Sequence, residues 1–314
     1  AKPPVWTHGL ELRVRKAGEL DFGPMTKRFG LECFKDENTN LLIYVTETGA
    51  VAEAAAVAVP ADAKTKPPTW LHGLEFRVRK AGEADFTKDT KKFGVEVFKD
   101  ENTGYLIYAS ETGDITQAPA ANVVPDVKSK TPTWVHGIEF KVRKGGENDF
   151  TKDTKKYGVE VFKDENTGYF IYISETGSIA QAPAAPKPAD GKTKAPTWMH
   201  GLEFRVRKAN EPDFTNGTKK FGVEVFKDEN TGYLVYICET GAIAVVQGKG
   251  QPADAKTAKS PEWLHGLEFR VRKAGEAEFG KDTKKLGLEV FRDENNGNLV
   301  YISETGSLTV VPAK

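Results

Sequence analysis

The sequence predicts an all-β, five-bladed propeller, and three observations carry that prediction. A segment of 64 or 65 residues recurs five times along 314 residues. Within each copy apolar residues alternate with a period of two, as in strands with two different faces. One copy, without its proline-rich tail, is about fifty residues long, too small to bury a core alone without disulfides or metal. Repeats of that kind shelter their apolar faces against one another.

The period is read from the rarest residues. Trp6, Trp70, Trp134, Trp198 and Trp263 each stand two positions before a histidine, His8, His72, His136, His200 and His265, and together these are all 5 tryptophans and all 5 histidines. This sets repeats at 6–69, 70–133, 134–197, 198–262 and 263–314, within a single domain spanning 1–314. In the second copy Leu74-Glu75-Phe76-Arg77-Val78-Arg79 alternates apolar with charged, the pattern of a half-exposed strand. Gly94-Val95-Glu96-Val97-Phe98 is a second strand, and Asp100-Glu101-Asn102-Thr103-Gly104 a hairpin turn in which Asn and Gly tolerate positive φ. Tyr105 to Ala109 is apolar on both faces and so is expected to be covered on both sides. Glu111-Thr112-Gly113 turns the chain into a short fourth strand from Asp114. An Ala/Pro/Lys-rich stretch, such as 181–188, then leads to the next tryptophan. No segment has a capped helical period.

The charged strand suits the outer edge of a blade. The expected strand order therefore places Gly-Val-Glu-Val-Phe innermost and takes the outermost strand from the following repeat. On that phasing the strand at residues 10–15 pairs with the blade near 285–312, and the ring is locked across the two chain ends. Dissimilar polar capping repeats, which an open row would need, are absent from the sequence.

Composition narrows the function. Lys+Arg and Asp+Glu both number 45, so the formal net charge is zero, which argues against a nucleic-acid or acidic-membrane binder. No run of about eighteen apolar residues suggests insertion in a membrane. The 2 cysteines, Cys33 and Cys238, fit neither a disulfide framework nor a thiolate metal site, and neither recurs in the other repeats. The chain starts at Ala1; with few cysteines and a neutral, proline-rich make-up, the expected address is secreted or periplasmic. Asn216-Gly217-Thr218 is a glycosylation sequon confined to one repeat.

Two elements are candidates for binding. Trp and His of Trp-x-His-Gly, two apart on a strand, are expected to share a face: an aromatic platform with a polar partner, at each of five equivalent positions. The charged strand adds Glu75 and Arg77, Glu139, Glu203 and Arg205, and Glu268 and Arg270, as hydrogen-bonding forks for sugar hydroxyls beside the ring. The alternative reading of both is structural, as interblade packing and a solvated, aggregation-resistant edge. The Asp-Glu-Asn-Thr-Gly stretch lacks calcium-loop spacing and reads as a turn. One histidine per repeat gives no metal site, and no cofactor is implied.

No nucleotide, hydrolase or metalloprotease motif occurs. A catalytic centre needs differently tuned groups at one point, whereas every notable polar residue here comes in five near-equal copies. Equal copies suit multivalent binding. The five-unit layout is similar to that of five-bladed propeller lectins, although this unit is longer and shares no motif with them. The five equal copies, rather than that likeness, lead to the reading of a non-enzymatic, monomeric, multivalent binder of glycans or cell-surface polymer. A scaffold presenting repeated surfaces to a protein partner, in an envelope or larger complex, is the alternative.

Overall fold

The computed structural model describes residues 2–57, 65–119, 129–184, 193–248 and 258–312. Four antiparallel strands make each blade. The first holds β1 (Val5–Val14), β2 (Lys27–Asp36), β3 (Leu41–Thr46) and β4 (Val51–Ala55), and the second β5 (Thr69–Val78), β6 (Lys91–Lys99), β7 (Leu106–Ser110) and β8 (Ile115–Ala118). The third holds β9 (Thr133–Val142), β10 (Lys155–Lys163), β11 (Tyr169–Ser174) and β12 (Ile179–Pro183). The fourth holds β13 (Thr197–Val206), β14 (Lys219–Lys227), β15 (Tyr233–Cys238) and β16 (Ile243–Gln247), and the fifth β17 (Glu262–Val271), β18 (Lys284–Arg292), β19 (Leu299–Ser303) and β20 (Leu308–Val311).

The strand order within every sheet follows the sequence, β1-β2-β3-β4 and its equivalents. This corrects the expected phasing twice. Each blade is one repeat, with no strand borrowed from the next: β1 pairs with β2, and the last blade is complete as β17-β18-β19-β20. The order is also inverted, because β4, β8, β12, β16 and β20 touch one another in a closed circuit and therefore line the axis. The charged strand is outermost, as expected. Most of each Ala/Pro/Lys-rich stretch, between an inner strand and the next outer one in sequence, lies outside the described residues.

The ring closes through faces rather than a shared sheet. Leu74, Phe76, Val78, Phe93, Val95 and Val97 of the second blade pack against Phe162, Ile171, Ile173 and Ile179 of the third. The same arrangement joins the fifth blade to the first, where Leu267, Phe269, Val271 and Val290 meet Phe34, Ile43, Val45 and Val51. Phe269 and Phe34 have ring centroids 4.9 Å apart, as do Phe140 and Phe226 at an internal interface. Both faces of the middle strands are thus covered, which explains their apolar runs. A buried Phe such as Phe76 contributes about 2–3 kcal/mol that an isolated repeat would forfeit.

Close approach of the blades explains the glycine that opens the Gly-Val-Glu-Val-Phe strand. A Cβ on Gly94 would fall on the carbonyl oxygen of Arg15 from the preceding blade, so only glycine fits there.

Candidate binding clefts between blades

The outer strand carries a bulge that the sequence does not announce. Trp70 pairs with Phe98 and His72 with Val97, so Leu71 is an extra residue opposite one step of β6. The same shift occurs in the other blades, at Trp6/His8, Trp198/His200, Trp263/His265 and opposite Val161/Phe162. An extra residue reverses the alternation beyond it. Trp70 therefore lies on the face of Glu75 and Arg77, and His72 on the opposite face with Leu74 and Phe76. The expectation that Trp and His share a face is corrected.

The histidines are interblade ties. His8 Nε2 donates to Asp100 Oδ2 of the next blade at 2.8 Å, and both side chains are buried. His72–Asp164 at 3.0 Å, His136–Asp228 at 2.9 Å, His200–Asp293 at 2.7 Å and His265–Asp36 at 3.0 Å repeat the bond around the ring. Tyr44 Oη also donates to Asp100 Oδ2 at 2.9 Å, while the backbone N–H of Asn102 donates to Oδ1 at 2.9 Å. Burial alone would raise these carboxyl pKa values. The bonds from histidine, Asn and Thr outweigh it and hold Asp164 and Asp228 at about 2, with Asp36, Asp100 and Asp293 also lowered. The turn aspartate is therefore more than turn geometry. Each histidine is spent on this buried bond, on the face away from its neighbouring tryptophan.

A second tie lies on the tryptophan face. Glu96, buried in the middle of β6, accepts the indole N–H of Trp70 at 2.7 Å and two guanidinium N–H bonds from Arg15 of the preceding blade, at 2.6 and 3.2 Å. A buried glutamate needs such a partner. Arg79–Glu160, Arg143–Glu224, Arg207–Glu289 and Arg272–Glu32 repeat it. Glutamate and tryptophan from one blade are thereby clamped by arginine from its predecessor.

The clamp leaves a cleft beside it. Glu75, Arg77 and Phe86 of the second blade face Ser129, Lys130, Pro132 and Trp134 of the third around about 440 Å³. Glu203, Arg205 and Phe214 face Lys259, Pro261 and Trp263 in the same way around about 490 Å³. Glu and Arg of one outer strand thus meet the tryptophan of the following blade, not the Trp and His of their own repeat as the sequence suggested. Trp134 stands edge-on to Phe86, with centroids 6.0 Å apart at 90°, and keeps 41% of its surface exposed. Trp6, Trp70 and Trp263 are similarly open, whereas Trp198 is less so. Glu75 pairs with Lys92 at 2.7 Å, Glu139 with Lys156 at 2.8 Å, Glu203 with Lys220 at 2.8 Å and Glu268 with Lys285 at 2.8 Å. Arg77 and Arg205 donate to the carbonyls of Thr87 and Thr215, and Arg270 to that of Gly280.

The segment before each tryptophan is fixed by the turn asparagine. Lys130 N–H donates to Asn166 Oδ1 at 2.9 Å, and Asn166 Nδ2 returns a bond to the Lys130 carbonyl at 3.3 Å. This anchoring of the chain ahead of the outer strand has no signature in the sequence.

Elsewhere the chemistry is sparse. The axial void among Glu53, Gln117, Gln181 and their neighbours measures about 30 Å³, on the scale of a water molecule. Cys33 and Cys238 are buried, and burial pushes their thiols up to about 12 and about 11, far from a reactive thiolate. Among the described residues no three His, Cys, Asp or Glu side chains cluster as a metal site.

No protein-family model matches this chain, and no curated protein matches it. Three solved structures are similar over most of their length. Selenomethionine-substituted virginiamycin B lyase from Staphylococcus aureus is 12% identical, with a TM-score of 0.12, over 97% of this chain and 74% of that one. A streptogramin B lyase is 13% identical, with a TM-score of 0.11, over 90% and 80%. A catalytically inactive variant of virginiamycin B lyase from Staphylococcus aureus, with quinupristin, is 12% identical, with a TM-score of 0.11, over 97% and 74%.

Proposed function

We propose that this propeller is a non-catalytic, multivalent binding protein whose ligand, a glycan or cell-surface polymer, sits in the outer clefts between blades. One observation carries the reading: a half-exposed tryptophan meets a glutamate and an arginine from the preceding blade, in an arrangement the sequence repeats around the ring. An open aromatic ring offers its face to sugar C–H groups, and Glu and Arg offer acceptor and donor to hydroxyls. Five linked weak contacts gain avidity without any one being tight. The protein acts as a monomer, with several clefts per chain, and uses no cofactor.

The test is glycan-panel binding by the intact chain and by a variant carrying Glu→Ala at 11, 75, 139, 203 and 268. These carboxylates are partly exposed and pair with exposed Lys or Arg. Glu11, Glu139 and Glu268 also accept a backbone N–H from Gly275, Gly82 and Asn210 of the preceding blade, but the buried Arg–Glu and His–Asp ties are untouched, so the fold should survive. Loss of binding by a variant that still melts cooperatively is the expected result. Retained binding would remove these carboxylates from the site.

A protein-scaffold reading has one observation in its favour. Leu20 and Met25 are 85% and 91% exposed on the first blade. Ala84, Asn148, Pro212 and Ala277 replace Leu20 in the other blades, and Asp89, Asp153, Gly217 and Asp282 replace Met25. A stoichiometric protein complex formed without glycan affinity, and lost on Leu20→Ala with Met25→Asp, would favour that reading.

A further inference from the structure

We infer that the interblade clefts select an acidic glycan, one whose sugar ring lies on the tryptophan and whose carboxylate or sulfate meets the cationic side chains at positions 77 and 130 and their equivalents. The inference rests on the binding reading above and names its ligand class.

The argument is one of charge pairing within a single cleft. Two arginines project from the same face of the outer strand of the second blade, and they are treated differently. Arg79 is neutralised by the carboxylate of Glu160 through two hydrogen bonds, at 2.6 and 3.2 Å. Arg77 has a neutral carbonyl, that of Thr87, as acceptor, and its guanidinium carbon lies 5.6 Å from the centre of the Phe86 ring. Its Nε is buried without a hydrogen-bond partner. Arg205 repeats each of these features, with Thr215, Phe214 and an unpartnered Nε. The acid within the cleft, Glu75, already has Lys92 at 2.7 Å. The cleft therefore carries positive charge facing a carbonyl dipole and a ring, where a carboxylate would complete it.

Lys130 adds to this charge from the opposite wall, as Lys259 does in the second cleft. Its backbone is held by Asn166, so the side chain leaves from a fixed point. Glu165, the carboxylate whose charge Lys130 reaches, is already paired with Lys163 at 2.8 Å. The sequence repeats both cations in all five copies, as Arg13, Arg77, Lys141, Arg205 and Arg270 and as Lys2, Lys66, Lys130, Lys194 and Lys259. The chain as a whole has zero net charge, so this is a local feature rather than a general attraction for polyanions. The half-exposed indole beside it favours a sugar over a bare phosphate backbone.

The test is calorimetric titration of the intact 314-residue chain with polygalacturonate, dextran sulfate, unsulfated dextran and single-stranded DNA. Binding of polygalacturonate or dextran sulfate, at least about tenfold tighter than unsulfated dextran, is expected, the comparison of the two separating carboxylate from sulfate as the recognised group. That binding should weaken severalfold when salt rises from about 50 to about 300 mM. Replacing residues 13, 77, 141, 205 and 270 by Gln should erase the preference for acid, and the salt response of the unaltered chain decides the same point if that variant fails to fold. Equal or tighter binding of the neutral polymer, or binding indifferent to salt, overturns the charge inference and leaves the glycan reading standing. DNA bound as tightly as the acidic glycans also overturns it. Failure of every glycan to bind removes the glycan reading itself and this inference with it.

Discussion

The guanidinium of Arg272 meets the carboxylate of Glu32 at 2.6 and 3.2 Å, joining residues 240 positions apart in the same geometry that Arg79 and Glu160 adopt between neighbouring blades. The closing interface is thus built like the internal ones. His265 and Asp36 repeat the point at 3.0 Å on the other face. A ring closed by repeated side-chain ties has no need of a strand exchanged between the chain ends.

Arg79→Ala should destabilise the protein by about 3 kcal/mol, because it strands Glu160, whose side chain is 2% exposed, as an uncompensated buried charge. Glu160→Gln with Arg79→Ala should recover part of that loss. Chemical denaturation of Arg79→Ala, Glu160→Gln and the double variant against the parent chain measures the coupling, and additive losses would contradict the pairing.

Stability should fall in acid below about pH 4. The turn aspartates have folded pKa values below their unfolded ones, with Asp164 and Asp228 at about 2. Groups of that sign add stability above the unfolded value near 4, and the contribution is lost as pH drops through the folded value. Melting temperature measured from pH 5 to pH 2 should decline through this window, and Asp164→Asn should be less stable at pH 7 while declining less. A flat profile would count against the aspartate ties.

Glu53 carries the opposite sign. Burial pushes its carboxyl up to about 7. Its folded state prefers the protonated form, so stability is greatest below the unfolded value near 4.5 and falls as pH rises towards and past 7. Glu53→Gln, which copies Gln117 and Gln181 of the next two blades, should therefore raise the melting temperature at pH 8 and change little at pH 4. The gain should be on the order of 1 kcal/mol. No difference at pH 8 would mean that Glu53 is adequately solvated when charged.

Gly94→Ala should cost on the order of 2–4 kcal/mol, since the added methyl collides with the backbone of Arg15 and the blades must separate to admit it. Gly104→Ala is the contrasting case: nothing stands near its Cβ, and its φ of +83° brings about 1 kcal/mol of backbone strain. Comparing the two melting temperatures checks that interblade contact, rather than loss of a glycine as such, sets the larger cost.

Much of the architecture is legible in the residues. The Trp and His spacing gives the five repeats, and the alternation in Leu74–Arg79 and the unbroken apolar run near Tyr105 give strands with one and two covered faces. Phasing is not legible, because hairpin neighbours in sequence are the same whether the sheet is read from the axis outward or inward. The bulge at Leu71 is hidden for a related reason: a residue that slips the register leaves no compositional trace, yet it moves His72 to the other face. One further signal does lie in the sequence. Glu32, Glu96, Glu160, Glu224 and Glu289 sit inside otherwise apolar strands in every copy, a place where an unpaired carboxylate would be prohibitive. Five such glutamates require five buried partners, and the last arginine of each outer strand supplies them.

Binding stoichiometry tests the central claim most directly. Titrating the intact chain with a short, monovalent acidic oligosaccharide, too small to bridge two clefts, should give up to five equivalents per chain, four of them alike and one weaker where Lys141 replaces arginine. A single equivalent would locate the ligand on the axis or at a feature unique to one blade, and would contradict a site built between each blade and the next.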